Sequence, residues 1–146
     1  MTTNRVTPLY TPEVLALAVE LAAYPPLSDP ASHAELRSRT CGSVARIGLA
    51  TDGEGAIETI GLKMSACAIG QAAAAIFAGD AQGKKAEDLD SAVAAVEVWL
   101  AEGGPRPEWP RLELLDAAVA HPGRHEAILL PWRAAAAALS KDNGAR

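Results

Sequence analysis

Two runs, Val44-Ala45-Arg46-Ile47-Gly48-Leu49-Ala50 and Ile57-Glu58-Thr59-Ile60-Gly61-Leu62-Lys63-Met64, decide the fold; they flank the turn Thr51-Asp52-Gly53-Glu54-Gly55. Ala45, Ile47 and Leu49 share one face of the first run. Ile60, Leu62 and Met64 share one face of the second, with Thr59 and Lys63 on the other. A period of two is the mark of a half-buried strand, and a short Asp-Gly turn between two such runs makes a β-hairpin.

On either side the period changes to that of helices. Upstream, Thr11-Pro12-Glu13 supplies a hydroxyl cap, a first-turn proline and an acid at the positive end of the dipole. Val14, Leu15, Ala18, Leu21 and Ala22 follow at helical spacing until Tyr24-Pro25-Pro26. Residues 25–40 read as an irregular connector. Downstream, Cys67 to Ala78 is small and apolar nearly all round, which suits a buried helix. Leu89, Val93, Val96 and Leu100 form the stripe of an amphipathic helix that ends at Gly103-Gly104-Pro105. Leu112 to Val119 reads as a short helix. Pro122 opens the last one, with Ile128, Leu129, Trp132 and Ala136 recurring along it. Strands first and helices afterwards spell an α+β domain. The expectation is one domain over residues 1–146, with flexible ends at 1–9 and 141–146.

Composition bounds the function. The chain has 146 residues, is 49% hydrophobic but only 4% aromatic, and about a fifth of it is alanine. Alanine favours closely packed helices over an all-β sandwich. A net charge of −5 counts against a grip on nucleic acid, which would need a basic face. No apolar run reaches the ~18 residues of a membrane span, and the polar start does not read as a signal peptide. The expectation is therefore a cytoplasmic protein with neither nucleic acid nor membrane as partner. No Ser/His/Asp arrangement can be placed, no carboxylate pair has a plausible pocket, and a Walker loop and a dinucleotide fingerprint are absent, so the chain does not read as an enzyme.

Two cysteines carry the remaining chemistry. Cys41 precedes the first run of the hairpin and Cys67 follows the second, so antiparallel pairing brings the two together despite their separation in sequence. Cys67 also starts a helix, where a thiol meets unpaired backbone N–H groups. Thiolate is the form that binds metal or attacks sulfur. The competing reading is a pair of buried small hydrophobes. Two thiolates also fall short of the four ligands that zinc and iron–sulfur sites ordinarily take.

Cys41-Gly42-Ser43 before a strand, a hairpin, then Lys63 and Ser65-Ala66-Cys67-Ala68-Ile69 opening a helix resembles the IscU/NifU-type iron–sulfur cluster assembly scaffold family, nearest its SufU-like branch. The resemblance runs from about Tyr10 to Leu139. It takes in Gly83-Lys84, Pro122-Gly123-Arg124 and Trp132-Arg133.

It implies a small antiparallel sheet with helices packed on one face. It also implies a scaffold that accepts sulfur from a cysteine desulfurase, assembles a [2Fe–2S] cluster on cysteine thiolates and passes it to apo-protein acceptors. Some members hold zinc at the same ligands. Cys41 and Cys67 are the implied ligands for iron or a cluster. Where the family carries Cys-Gly-Asp, this chain has Ser43. Where a third cysteine is expected it has Ala127, beside His125 and Glu126. Ser43, His125 and Glu126 are the weaker candidates to complete a metal site. His125 and Glu126 are successive residues on a helix, so at most one of them could occupy the missing cysteine's place without a local shift.

Two readings follow: a monomeric or weakly dimeric scaffold that binds iron or a [2Fe–2S] cluster, and a degenerate member that serves a desulfurase as sulfur acceptor or regulatory partner. Zinc, with His125 and Glu126 both contributing, is a third.

Overall fold

A computed structural model describes residues 8–39 and 42–144, with side chains placed through residue 140. Helix α1 spans Pro12–Glu20, and the Thr11 hydroxyl accepts the Val14 N–H as its cap. A three-residue 3₁₀ turn, Leu21–Ala23, follows. Three strands, β1 (Ser32–Arg37), β2 (Val44–Thr51) and β3 (Ile57–Ser65), form one antiparallel sheet in the order β1-β2-β3. Then come α2 (Ala68–Asp80), α3 (Ala86–Glu102), two 3₁₀ segments (Leu112–Ala120 and Pro122–Arg124) and α4 (His125–Gly144). The chain is α+β, with a small antiparallel sheet and helices packed on one face.

The hairpin forms as its period requires. Val44 pairs with Ser65, Ile47 with Leu62 and Leu49 with Ile60, and a register irregularity at Ala50/Thr51 absorbs the turn. The Asp52 carboxylate accepts the N–H groups of Glu54 (2.8 Å) and Ala56 (3.0 Å), and Gly55 supplies the positive φ of +86°. The bond from Ala56, then that from Glu54, holds the Asp52 carboxyl below the usual carboxylate range.

Ala34, Ala45, Ile47, Leu49, Ile60 and Leu62 are all buried on the inner face of the sheet. Helix α4 packs across β1 and β2, and α2 packs against β3. Phe77, Trp109 and Trp132 make one aromatic cluster, with ring centroids 5.4–5.7 Å apart. Its only bonded indole is that of Trp109, which donates to the Ile76 carbonyl at 2.9 Å. Arg111 joins the layers: its guanidinium grips the Glu20 carboxylate at 2.8 and 3.1 Å and lies over Gly79 of α2.

Three segments differ from their sequence reading. The connector 25–40 contains β1, whose Ser-His-Ala-Glu-Leu-Arg sequence has no β-branched or aromatic residue. Pairing with β2 makes it a strand where propensity would not. The segment 112–120 is a 3₁₀ helix, entered through Arg111 at φ +72°. The backbone of α4 stays helical to Gly144, past the Lys141 where the sequence suggested a frayed tail.

The outer face of the sheet carries a covering that the sequence reading lacked. Gly48 and Gly61 face each other across β2 and β3, and the segment from Pro25 to Pro30 crosses over them. A Cβ at Gly61 would lie 2.6 Å from both the Leu27 nitrogen and the Pro25 carbonyl oxygen. The Tyr24 carbonyl completes the strap by accepting the Leu62 N–H at 3.0 Å.

Backbone cannot retreat as a flexible side chain can. Gly61→Ala should therefore lose about 1–3 kcal/mol of unfolding free energy. Gly53→Ala, with nothing within 4 Å of its Cβ, should be close to neutral in the same urea titration. Equal midpoints for the two variants would contradict the strap.

Candidate cysteine site

The pairing of Val44 with Ser65 puts the residues just before β2 beside those just after β3. A cavity of about 270 Å³ opens there, walled by Gly42, Ser43, Ser65, Ala66, Cys67, Gly123, Arg124 and Ala127. Three separate pieces of chain converge on it: the end of the loop into β2, the junction of β3 and α2, and the start of α4. Cys41 lies outside the described residues. Its neighbours Gly42 and Ser43 reach the same cavity as Cys67.

Cys67 is the N-cap of α2, half-buried, and its thiol makes no capping hydrogen bond. The first turn of α2 is held instead by its backbone, with the Gln71 N–H donating to the Cys67 carbonyl at 3.0 Å. The Gln71 side-chain amide also donates to the Ala66 carbonyl at 3.0 Å, which fixes the peptide before the cysteine. The sulfur is thus the only soft donor on the cavity wall among the described residues.

Ala127 is fully buried and lines this cavity, so the position that the resemblance assigns to a third cysteine shares the cavity with Cys67. Gly70 permits the approach, since a Cβ there would sit 2.8 Å from that of Ala66 and 3.2 Å from that of Ala127. Pro131, inside α4, has no N–H to offer the Ala127 carbonyl one turn back.

The weaker candidates go to different places. Ser43 is on the cavity wall but buried, and its backbone exchanges two hydrogen bonds with Ser38: its N–H donates to Oγ at 3.1 Å, and its carbonyl accepts the Ser38 N–H at 2.8 Å. His125 does not line the cavity; its Nε2 lies 2.9 Å from the Val119 carbonyl, to which it donates. Glu126 also stays off the wall. Its Oε1 accepts the Arg39 N–H at 2.8 Å, across 87 residues of sequence.

The two side chains preceding Ala127 are therefore engaged with backbone rather than with the cavity. Among the described residues no three of His, Cys, Asp and Glu gather as a metal site. The described donors do not by themselves fit a [2Fe–2S] cluster or a zinc ion, and Cys41 could add at most one thiolate.

No family model and no curated protein matches the chain. Solved structures do, 33 chains of them. The N-terminal part of a nitrogen-fixing NifU-like protein from Brucella abortus superposes with a TM-score of 0.86 at 26% identity, over 94% of this chain and 96% of that one. The chain has the fold of the IscU/NifU-type iron–sulfur cluster assembly scaffolds. A putative iron–sulfur cluster assembly scaffold protein for the SUF system from Fervidobacterium islandicum shares that fold, with a TM-score of 0.76 at 19% identity over 90% and 96% of the two chains.

On this scaffold fold, Arg124 and Ser65 are the cavity residues to which the sequence reading gave no role. The signal was there in Pro122-Gly123-Arg124, which carries the arginine to the mouth of α4, and in Ser65, two residues before the cysteine. The bond from Glu126 to Arg39 could not have been read from sequence, because it depends on α4 packing beside the end of β1.

That bond anchors the loop two residues before Cys41. Glu126→Ala should speed amide hydrogen exchange at Arg39 by about tenfold, the worth of one hydrogen bond to a charged acceptor. Glu126→Gln keeps an oxygen acceptor and should stay near the wild-type rate. Equal exchange in all three proteins would show that Glu126 does not hold the loop.

Proposed function

We propose that this protein works in iron–sulfur cluster assembly as a scaffold-type protein whose principal step is sulfur acceptance at Cys67. The observation that carries the reading is the half-buried thiol at the N-cap of α2, opening into a cavity on which no other described residue offers a soft ligand. The scaffold fold supports the setting, and the similarity to a SUF-system scaffold supports a cysteine desulfurase as partner.

The step needs no oxidant. The Cys67 thiolate attacks the outer sulfur of the desulfurase's cysteine persulfide. A new S–S bond forms at Cys67 Sγ as the desulfurase's S–S bond breaks, and its electron pair leaves on the desulfurase cysteine as thiolate. The sulfane sulfur keeps its proton, and Cys67 carries the persulfide. Within the chain, the Gln71 amide and the α2 backbone hold Cys67 in place, and the cavity gives the added sulfur room.

Cargo beyond sulfur requires further donors. A [2Fe–2S] cluster on Cys41 and Cys67 would need two more ligands from a second copy or from a small thiol. Passage to apo-protein acceptors is then the step after assembly. The engagement of His125 with Val119 and of Glu126 with Arg39 favours sulfur acceptance over a complete cluster or zinc site on one chain.

Incubation with a cysteine desulfurase and cysteine, followed by alkylation and mass spectrometry, tests the reading. The Cys67 peptide should gain one sulfur atom, and Cys67→Ser should abolish that gain while leaving the far-UV spectrum unchanged. Wild-type protein that acquires no sulfur at Cys67 would overturn the proposal.

A further inference from the structure

Outward-facing residues on the sheet form cross-strand rows, and one of them is electrostatically unfavourable in the isolated chain. Glu35, Arg46 and Lys63 stand side by side on β1, β2 and β3, because Glu35 pairs with Arg46 and Arg46 with Lys63. Like charges directly opposite each other destabilise a sheet. Glu35 relieves only one side: its carboxylate meets Arg46 Nε at 2.7 Å and Arg37 at 3.7 Å. Lys63 has no ion pair among the described residues.

These side chains line a shallow groove of about 220 Å³ with Val44 and Ser65. It contains three cations and one carboxylate, on a chain whose net charge is −5. Asp29 is not on this lining; it lines a neighbouring hollow of the outer face that shares Glu35, Arg46 and Lys63 with the groove. Ser65 belongs both to this groove and to the wall of the Cys67 cavity, so the cationic strip leads directly to the thiol.

We infer that the groove docks an acidic, extended segment of the protein partner that meets Cys67. Carboxylates of that segment would sit between Arg46 and Lys63 and relieve their mutual repulsion. Charge complementarity selects this occupant: a lining of three cations and one carboxylate calls for carboxylates brought from outside the groove. The identity of the partner rests on the proposed function, but the groove's preference for acidic peptide does not.

The test uses the full chain and a fluorescent peptide of alternating glutamate and serine, followed by anisotropy at low and physiological salt. The peptide should bind saturably and release as salt rises. Lys63→Glu should weaken it by at least about tenfold, because it turns an attraction into a like-charge contact. Arg106→Glu, a charge reversal outside the groove, should stay within about twofold. Cys67→Ser should bind as wild type, so failure of sulfur transfer and failure of docking are separate results. Absence of saturable binding would overturn the inference, as would equal weakening by Arg106→Glu. Equally tight, Lys63-dependent binding of a single-stranded oligonucleotide of matched charge would also overturn it, by making the groove a general polyanion site.

Discussion

The register that sets Val44 opposite Ser65 is the constraint on which the rest of the molecule depends. It is fixed by burial: a slip of one residue would turn Ala45, Ile47, Leu49, Ile60 and Leu62 out of the core. With the register fixed, the approach to β2 and the exit from β3 must meet at one end of the sheet. There Cys67 caps α2, Gly42 and Ser43 come alongside, and Ala127 at the start of α4 closes the third side. The same register sets Arg46 opposite Lys63 on the other face, and the pairing of β1 with β2 adds Glu35 to the row. One choice of pairing thus builds both the thiol cavity and the charged groove beside it.

Much of this was legible in the chain because local pattern and tertiary demand agree. The hairpin announces itself through its period and its Asp52-Gly53 turn, and α2 through a run of alanines that only a buried helix explains. Three things were not legible, each for a physical reason. β1 lacks strand-forming residues and exists because β2 has an edge to pair. The strap of Pro25 to Pro30 depends on two glycines, 48 and 61, that meet only once the strands are in register. The partners of His125 and Glu126 lie on the Val119 carbonyl and the Arg39 N–H, which are backbone groups with no signature in sequence.

The cavity is the chemically telling part of the molecule. Its shape is assembled from the segments that the scaffold pattern assigns to ligands, yet the described wall presents one thiol, and the residues beside Ala127 are occupied in holding the loop into β2 and the turn before α4. A soft nucleophile in a small cavity suits transfer of a single sulfur atom, which asks for one thiolate and space. Retention of a cluster asks for four ligands arranged around it. Ala127 marks the difference between the two, since a methyl group on the cavity wall offers no donor.

Placing a donor there tests this account most directly. Wild-type protein and Ala127→Cys should be reconstituted side by side with iron and sulfide without oxygen, desalted, and assayed for iron, sulfide and visible absorption. The variant should retain a cluster markedly better than the wild type, because the new thiol enters the cavity that Cys67 lines. Equal retention by the two proteins would contradict the account, since residue 127 would then have no part in a ligand site.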